Sequence, residues 1–92
     1  MNRQSRVPAN LADGTATRRP ITIFRVGERP RALVRLAYPE GVEVLPAVVL
    51  ARSATTVEVD PAPGGYSVRW WMLAQDVRPE GADVSDWLAG GS

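Results

Sequence analysis

Residues 66–73 alternate between two sides with a period of two, and this pattern predicts a β-strand with one face in a core. The apolar side of this strand carries Tyr66, Val68, Trp70 and Met72. The opposite side places Trp71 beside Arg69, where contact with solvent is expected. A large aromatic ring next to an arginine is typical of interface anchors. The pattern therefore predicts a sheet with a core face, and a binding surface at Trp71 and Arg69.

Four other short segments show the same β-type pattern, and each is bounded by glycine, proline or small polar residues. They are residues 21–26, 32–38, 42–51 and 56–60. Pro46 interrupts the longest of them, and because proline cannot donate to a strand ladder, that strand lies at an edge, bulges or bends there. Five short strands with tight turns predict an all-β fold, either a small antiparallel barrel or a sandwich.

The chain divides into three parts by composition. Residues 1–20 are polar, basic and aperiodic, which predicts a flexible basic arm. Residues 21–80 carry the strands, and residues 81–92 form a C-terminal tail with a short helical turn. Asp83 or Ser85 is the predicted cap of that turn. The apolar residues on one side of it are Val84, Trp87 and Leu88. This side must rest on the domain or on a partner.

Three chemically important residue types are missing from these 92 residues: cysteine, histidine and lysine. Their absence removes thiolate nucleophiles, zinc–thiolate sites, the commonest general base and Schiff-base chemistry. Asp83 and Asp86 are too few ligands for a hard cation. The length suits one small domain. We therefore expect a non-catalytic protein with no cofactor, no metal and no small-molecule substrate.

The near-neutral net charge hides a strong asymmetry along the chain. Residues 1–35 hold eight arginines against two acidic residues, whereas residues 36–92 hold three arginines against eight acidic residues. A basic arm on an acidic body can reach an acidic partner, nucleic acid included. It can also lie on the acidic body of a neighbouring copy. Both alternatives remain open from the sequence.

The origin and location of the chain are also indicated by composition. Every positive side chain is arginine, and alanine, glycine, proline and valine are abundant, which is typical of a GC-rich genome such as that of an actinobacterium or one of its phages. No apolar run approaches the roughly 18 residues that a membrane span needs. The N-terminus lacks a secretory signal pattern. We expect a cytoplasmic or virion protein that is not secreted and does not bind a membrane.

The chain resembles an SH3-like small β-barrel of the Tudor/KOW kind over residues 21–80. The resemblance rests on the strand–turn–strand order of residues 32–60, on Val68-Arg69-Trp70, and on residues 73–79. It implies a five-stranded barrel in which the strand ending in an aromatic leads into a single helical turn. A leucine and a valine lie under the barrel there. Proteins of this kind mostly bind peptides, nucleic acid or neighbouring subunits.

These observations predict a protein-interaction or assembly module, such as a structural component of a phage. The expected binding residues are Trp71, Arg69, Trp87, Leu88, Arg18, Arg19 and Arg25. The aromatic and apolar members would anchor a partner protein or another copy of the chain. The alternative is a nucleic-acid-binding barrel, with the arginine-rich arm on phosphates and Trp71 as a stacking platform.

Overall fold

A computed structural model describes residues 7–12, 20–62 and 68–90, which form an antiparallel sheet of six strands and one short α-helix. The strands are β1 Thr22–Ile23, β2 Arg31–Tyr38, β3 Gly41–Arg52, β4 Thr56–Asp60, β5 Trp70–Leu73 and β6 Val77–Pro79, and the helix is α1 Ser85–Gly90. The all-β prediction is confirmed. Residues 66 and 67 of the strand expected over 66–73 lie outside the described residues.

The strands follow the order β5-β4-β3-β2-β6. The short strand β1 pairs with the C-terminal end of β3, on the same edge of β3 as β2. The sheet is open and the described residues contain six strands, so the expected count of five is wrong. The additional strand is β6, whose three residues are too few to show alternation in a sequence. The implied helical turn is present at Ala74–Asp76, between β5 and β6. Leu73 before it is 36% exposed rather than buried.

Alternation places the core where the sequence predicts it. Val34, Leu36, Val59 and Met72 are completely buried. They form one cluster with residues of β3, and Trp70 packs against it from β5. Burial of each such side chain stabilises the fold by about 1.5–3 kcal/mol relative to exposure. The strands therefore hold together through one shared apolar face.

The strand expected over residues 21–26 is much shorter than predicted. β1 covers two residues, and Val26–Glu28 form a helical turn instead of extending the strand. β1 pairs only with the last two residues of β3, and Ile23 is 78% exposed. Phe24 leaves the ladder, donates its N–H to the carbonyl of Leu50 at 2.9 Å, and packs against the core. Beyond Leu50 this edge of β3 is occupied by the start of β2, because Val49 donates its N–H to the carbonyl of Pro30 at 2.8 Å and Val48 pairs with Arg31. β-propensity alone did not show this competition for the edge.

Pro46 occupies an edge part of β3, which confirms one of the predicted alternatives. The pairing of β3 with β4 begins at Val48, so Pro46 lies outside that ladder while it remains opposite Leu33 of β2. The ladder shifts register between Val49 and Ala51, separately from the proline. A missing N–H is tolerated at Pro46 because β4 does not reach it.

Residues 7–12 lie on the sheet, although they belong to the predicted flexible arm. The side chain of Asn10 donates to a carbonyl of β2 at 2.8 Å and accepts from a β2 N–H at 2.9 Å. The N–H of Ala12 donates to the carbonyl of Trp71 in β5 at 2.8 Å. This segment therefore connects β2 with β5, the strand at one end of the sheet. The remainder of residues 1–19 lies outside the described residues.

Helix α1 is capped by Asp83 as predicted, but the residues of its expected apolar side differ in burial. Oδ1 of Asp83 accepts from the N–H of Ser85 at 2.9 Å and from its hydroxyl at 2.8 Å. Trp87 is 2% exposed, whereas Leu88 is 58% exposed. Leu88 is thus directed towards solvent. No helix in the described part of the chain is long and apolar enough to cross a membrane.

Candidate interaction surface

Trp87, a predicted binding residue, is held by two arginines of its own chain. The guanidinium carbon of Arg78 lies 4.2 Å from the centroid of the Trp87 ring, and that of Arg35 lies at 5.5 Å. Both distances are within the range of cation–π attraction. Since the ring is buried, its position fixes α1 on the outer face of the sheet and does not supply an accessible anchor.

Each of these arginines is in turn held by a carboxylate. Arg35 donates from Nε at 2.8 Å and from one terminal nitrogen at 2.5 Å to the same oxygen of Asp76, which is 2% exposed. Arg78 donates to both carboxylate oxygens of Asp86, at 2.6 and 2.7 Å. The Arg78–Asp86 pair is bidentate, and the Arg35–Asp76 pair has two donors on one oxygen, so both fix orientation as well as charge. The two ion pairs therefore tie β2 to the turn before β6, and β6 to α1.

The ion pair at α1 keeps its charges at neutral pH. The hydrogen bonds from Arg78 lower the pKa of Asp86 from 3.8 to about 2. The N–H of Ser85 is the main cause of the lowered pKa of Asp83. Hydrogen bonding between Arg78 and Asp86 also raises the pKa of Arg78. Both carboxylates therefore remain anionic at neutral pH.

The predicted pair of Trp71 and Arg69 is only partly accessible. Arg69 is exposed, but Trp71 is half-buried in β5, opposite Glu58 of β4. Its backbone carbonyl is occupied by the N-terminal segment, because Ala12 donates to it. Trp71 is thus not a freely projecting anchor.

The predicted basic residues are only partly described. Arg25 is exposed. Arg18 and Arg19 lie outside the described residues. A binding role requires this exposure. No hydrogen bond or ion pair joins the Arg25 side chain to another residue within the described part of the chain, so the structure does not indicate what it would bind.

A cavity of about 690 Å³, which we term the arginine groove, opens onto one end of the core. Its apolar floor consists of Phe24, Ala32, Val49, Val57 and Val77. All five belong to the core cluster or pack against it, so the groove is a place where the inner face of the sheet meets solvent. Ligand sites in proteins typically combine such an apolar floor with a few polar groups.

The polar groups at the groove are dominated by arginine. Arg31, Arg52 and Arg78 line it, and no aspartate or glutamate is among its described lining residues. Arg78 is already paired with Asp86. Arg31 lies 3.9 Å from Glu80, and both side chains of that pair are more than half exposed, so it is weak. Arg52 is exposed and makes no ion pair within the described residues.

Exposed apolar side chains lie near β1 and on α1. Ile23 and Val26 are 78% and 77% exposed, and Ile23 follows Thr22, a residue of β1 that lines the groove. Close to them in sequence, Nε of Arg29 is buried and has no acceptor within the described part of the chain. Exposed apolar groups with unsatisfied donors are typical of surfaces that bind a partner.

A second cavity, of about 530 Å³, lies where the N-terminal segment and α1 meet the sheet. Its lining includes Trp87 together with Asn10, Arg35 and Asp76, and the polar groups of these last three already bond one another or the backbone. This second cavity is therefore a gap between packed segments of the fold. No group of three or more carboxylates able to hold a metal ion is found in residues 7–12, 20–62 and 68–90.

The sequence did not reveal the groove because its lining comes from five of the strands and from the connections between them. Alternation identifies the inward-facing valines but not that β1 ends after two residues beside the cavity that they line. The one available signal was the concentration of arginine in residues 1–35. Tertiary structure places Arg31 from that region beside Arg52 and Arg78 from the acidic half.

Fold and site together define a small all-β domain with an arginine-lined apolar groove. Comparison with protein-family models, with curated proteins and with solved structures gives no match to this chain. Its function must therefore be argued from its own residues.

Proposed function

We propose that this chain is a non-catalytic interaction module that binds a segment of another protein in the arginine groove. The observation that carries the proposal is the composition of that groove, which combines a core-derived apolar floor, three arginines and no described acidic residue. Such a surface favours an extended segment with apolar and acidic side chains. A module of this kind suits an assembly, such as a phage particle. An SH3-like fold also stands as a proposal; the helical turn between β5 and β6 supports it, whereas the open six-stranded sheet departs from the closed five-stranded barrel expected from the resemblance.

Arg52 is the residue on which the proposal can be tested most directly. It is exposed and unpaired within the described residues, so its guanidinium is available to a carboxylate. A hydrogen-bonded charge pair contributes about 1.5–3 kcal/mol, which corresponds to roughly 10–100-fold in affinity. Arg52→Glu replaces this attraction by repulsion and is expected to weaken binding by at least that factor.

The experiment is a fluorescence-anisotropy titration with two labelled peptides, one alternating leucine with glutamate and the other alternating leucine with lysine. The native protein should bind the leucine–glutamate peptide and not the leucine–lysine peptide. Arg69→Glu is the matched control, since Arg69 is also an exposed arginine but does not line the groove. Equal binding of both peptides, or equal loss in the two variants, would contradict the proposal.

Nucleic acid binding is the second candidate, and the exposure of Arg25, Arg31 and Arg52 favours it. Phosphate contacts release counterions, so binding should weaken steeply as salt is added. The test is a titration with labelled single- and double-stranded DNA and RNA at low and at physiological salt. Binding that persists at physiological salt and is lost on changing Arg18 and Arg19 to alanine would favour this candidate. Absence of binding at either salt would remove it.

A further inference from the structure

The segment most complementary to the arginine groove is found in the same chain. Residues 80–89, which we term the acidic segment, contain Glu80, Asp83 and Asp86 and no arginine. All three acidic residues are exposed. The described lining of the groove shows the opposite composition, with arginines and no acid. Charge complementarity of this kind selects partners and orients them.

The acidic segment also offers an apolar side chain that its own fold leaves uncovered. Trp87 is buried against the sheet, but the next residue, Leu88, is 58% exposed. Neighbouring residues on a helix point about 100° apart, so burial of Trp87 turns Leu88 away from the sheet. The segment thus presents an apolar side chain among carboxylates, which is the chemistry that the groove accommodates.

Groove and acidic segment are also adjacent on the molecule. Arg78 lines the groove and at the same time holds Asp86 of the segment. Two copies related by a two-fold axis near this border can therefore each place the segment in the groove of the other. Such an isologous contact closes on itself and forms a dimer, not a filament.

We propose that two copies of this chain form a two-fold dimer in which the acidic segment of each copy occupies the arginine groove of the other. Leu88 contacts the apolar floor, and the carboxylates of the segment face Arg52 and Arg31. This inference rests on the proposed interaction function of the groove and names a second copy as its occupant.

The test is sedimentation velocity of the full chain at low to high micromolar concentration. The native protein should dimerise, and Arg52→Glu and Leu88→Asp should each weaken the dimer about 100-fold. Each lost contact corresponds to roughly tenfold in affinity, and the two-fold axis repeats it. Both positions are exposed, so the variants should fold, which circular dichroism verifies. Glu28→Arg serves as the control and should dimerise normally, since Glu28 is exposed and does not line the groove.

Mixing each variant with the native protein gives the sharpest result. In the mixed dimer only one of the two contacts carries the substitution, so it should be about tenfold weaker than the native dimer and about tenfold tighter than the dimer of the variant alone. A dimer that is insensitive to both substitutions, or a mixed dimer no tighter than that of the variant alone, would overturn the inference.

A native protein that is monomeric at every concentration would also overturn it. In that case the peptide titration separates the two ideas. Binding of the leucine–glutamate peptide would retain the proposed interaction function with a different partner, and absence of that binding would remove both.

Discussion

The buried ion pair between Asp76 and Arg35 is predicted to be among the most sensitive polar contacts in this fold. Asp76 is 2% exposed, and its Oδ1 accepts two hydrogen bonds from Arg35, at 2.8 and 2.5 Å. Asp76→Ala removes the carboxylate and leaves the guanidinium partly buried without its partner. Removing one member of a fully buried pair typically costs about 3–5 kcal/mol. Because the Arg35 side chain is 30% exposed and retains some water, we expect about 2–4 kcal/mol.

The pair between Glu80 and Arg31 provides a matched control. It also joins β2 to a residue beside β6, but its atoms are 3.9 Å apart and both side chains are largely exposed. Glu80→Ala is expected to change the free energy of unfolding by less than about 0.5 kcal/mol. Urea unfolding followed by tryptophan fluorescence measures both variants on one scale.

A double variant separates the effect of the unpaired Arg35 guanidinium from the other effects of Asp76→Ala. If the unpaired guanidinium is the main source of the loss, then adding Arg35→Met should recover at least half of it. Full recovery is not expected, since Arg35 also contacts the Trp87 ring at 5.5 Å. A loss below about 1 kcal/mol in Asp76→Ala, or a loss equal to that of Glu80→Ala, would show that this ion pair does not stabilise the fold as expected.

Two further predictions concern the core and the docking of α1. Met72 is completely buried, so Met72→Ala should lower the free energy of unfolding in urea by about 2–5 kcal/mol. Leu73→Ala, at a 36% exposed position, should change it much less, and equal losses would contradict the assignment of the core face. The lowered pKa of Asp86 contributes stability that is complete above its ordinary pKa of 3.8 and is lost as the pH falls through about 2. Tryptophan fluorescence should therefore report weakened docking of α1 between about pH 4 and 2, and Asp86→Asn should abolish this transition.

Local patterns in the sequence determined most of the strands. β4 begins and ends as predicted, and β2 and β3 match their predicted ranges to within one residue at each end. This succeeds because the period of side-chain alternation is a property of the strand itself. The inward direction of Trp70 and Met72 follows from the same period. The cap of α1 at Asp83 was likewise readable, since it depends on residues two positions apart.

Contacts between distant residues were decided only by tertiary structure. The sequence placed Trp71 and Trp87 on a binding surface, but the first is half-buried beside the N-terminal segment and the second is buried under two arginines. Neither outcome has a local signal, because each depends on which segment covers the outer face of the sheet. The arginine groove depends likewise on where β1 ends against β3. Sequence alternation determined which side chains face inward, and long-range packing decided which of them remain open to a partner, because exposure depends on segments far away in the chain.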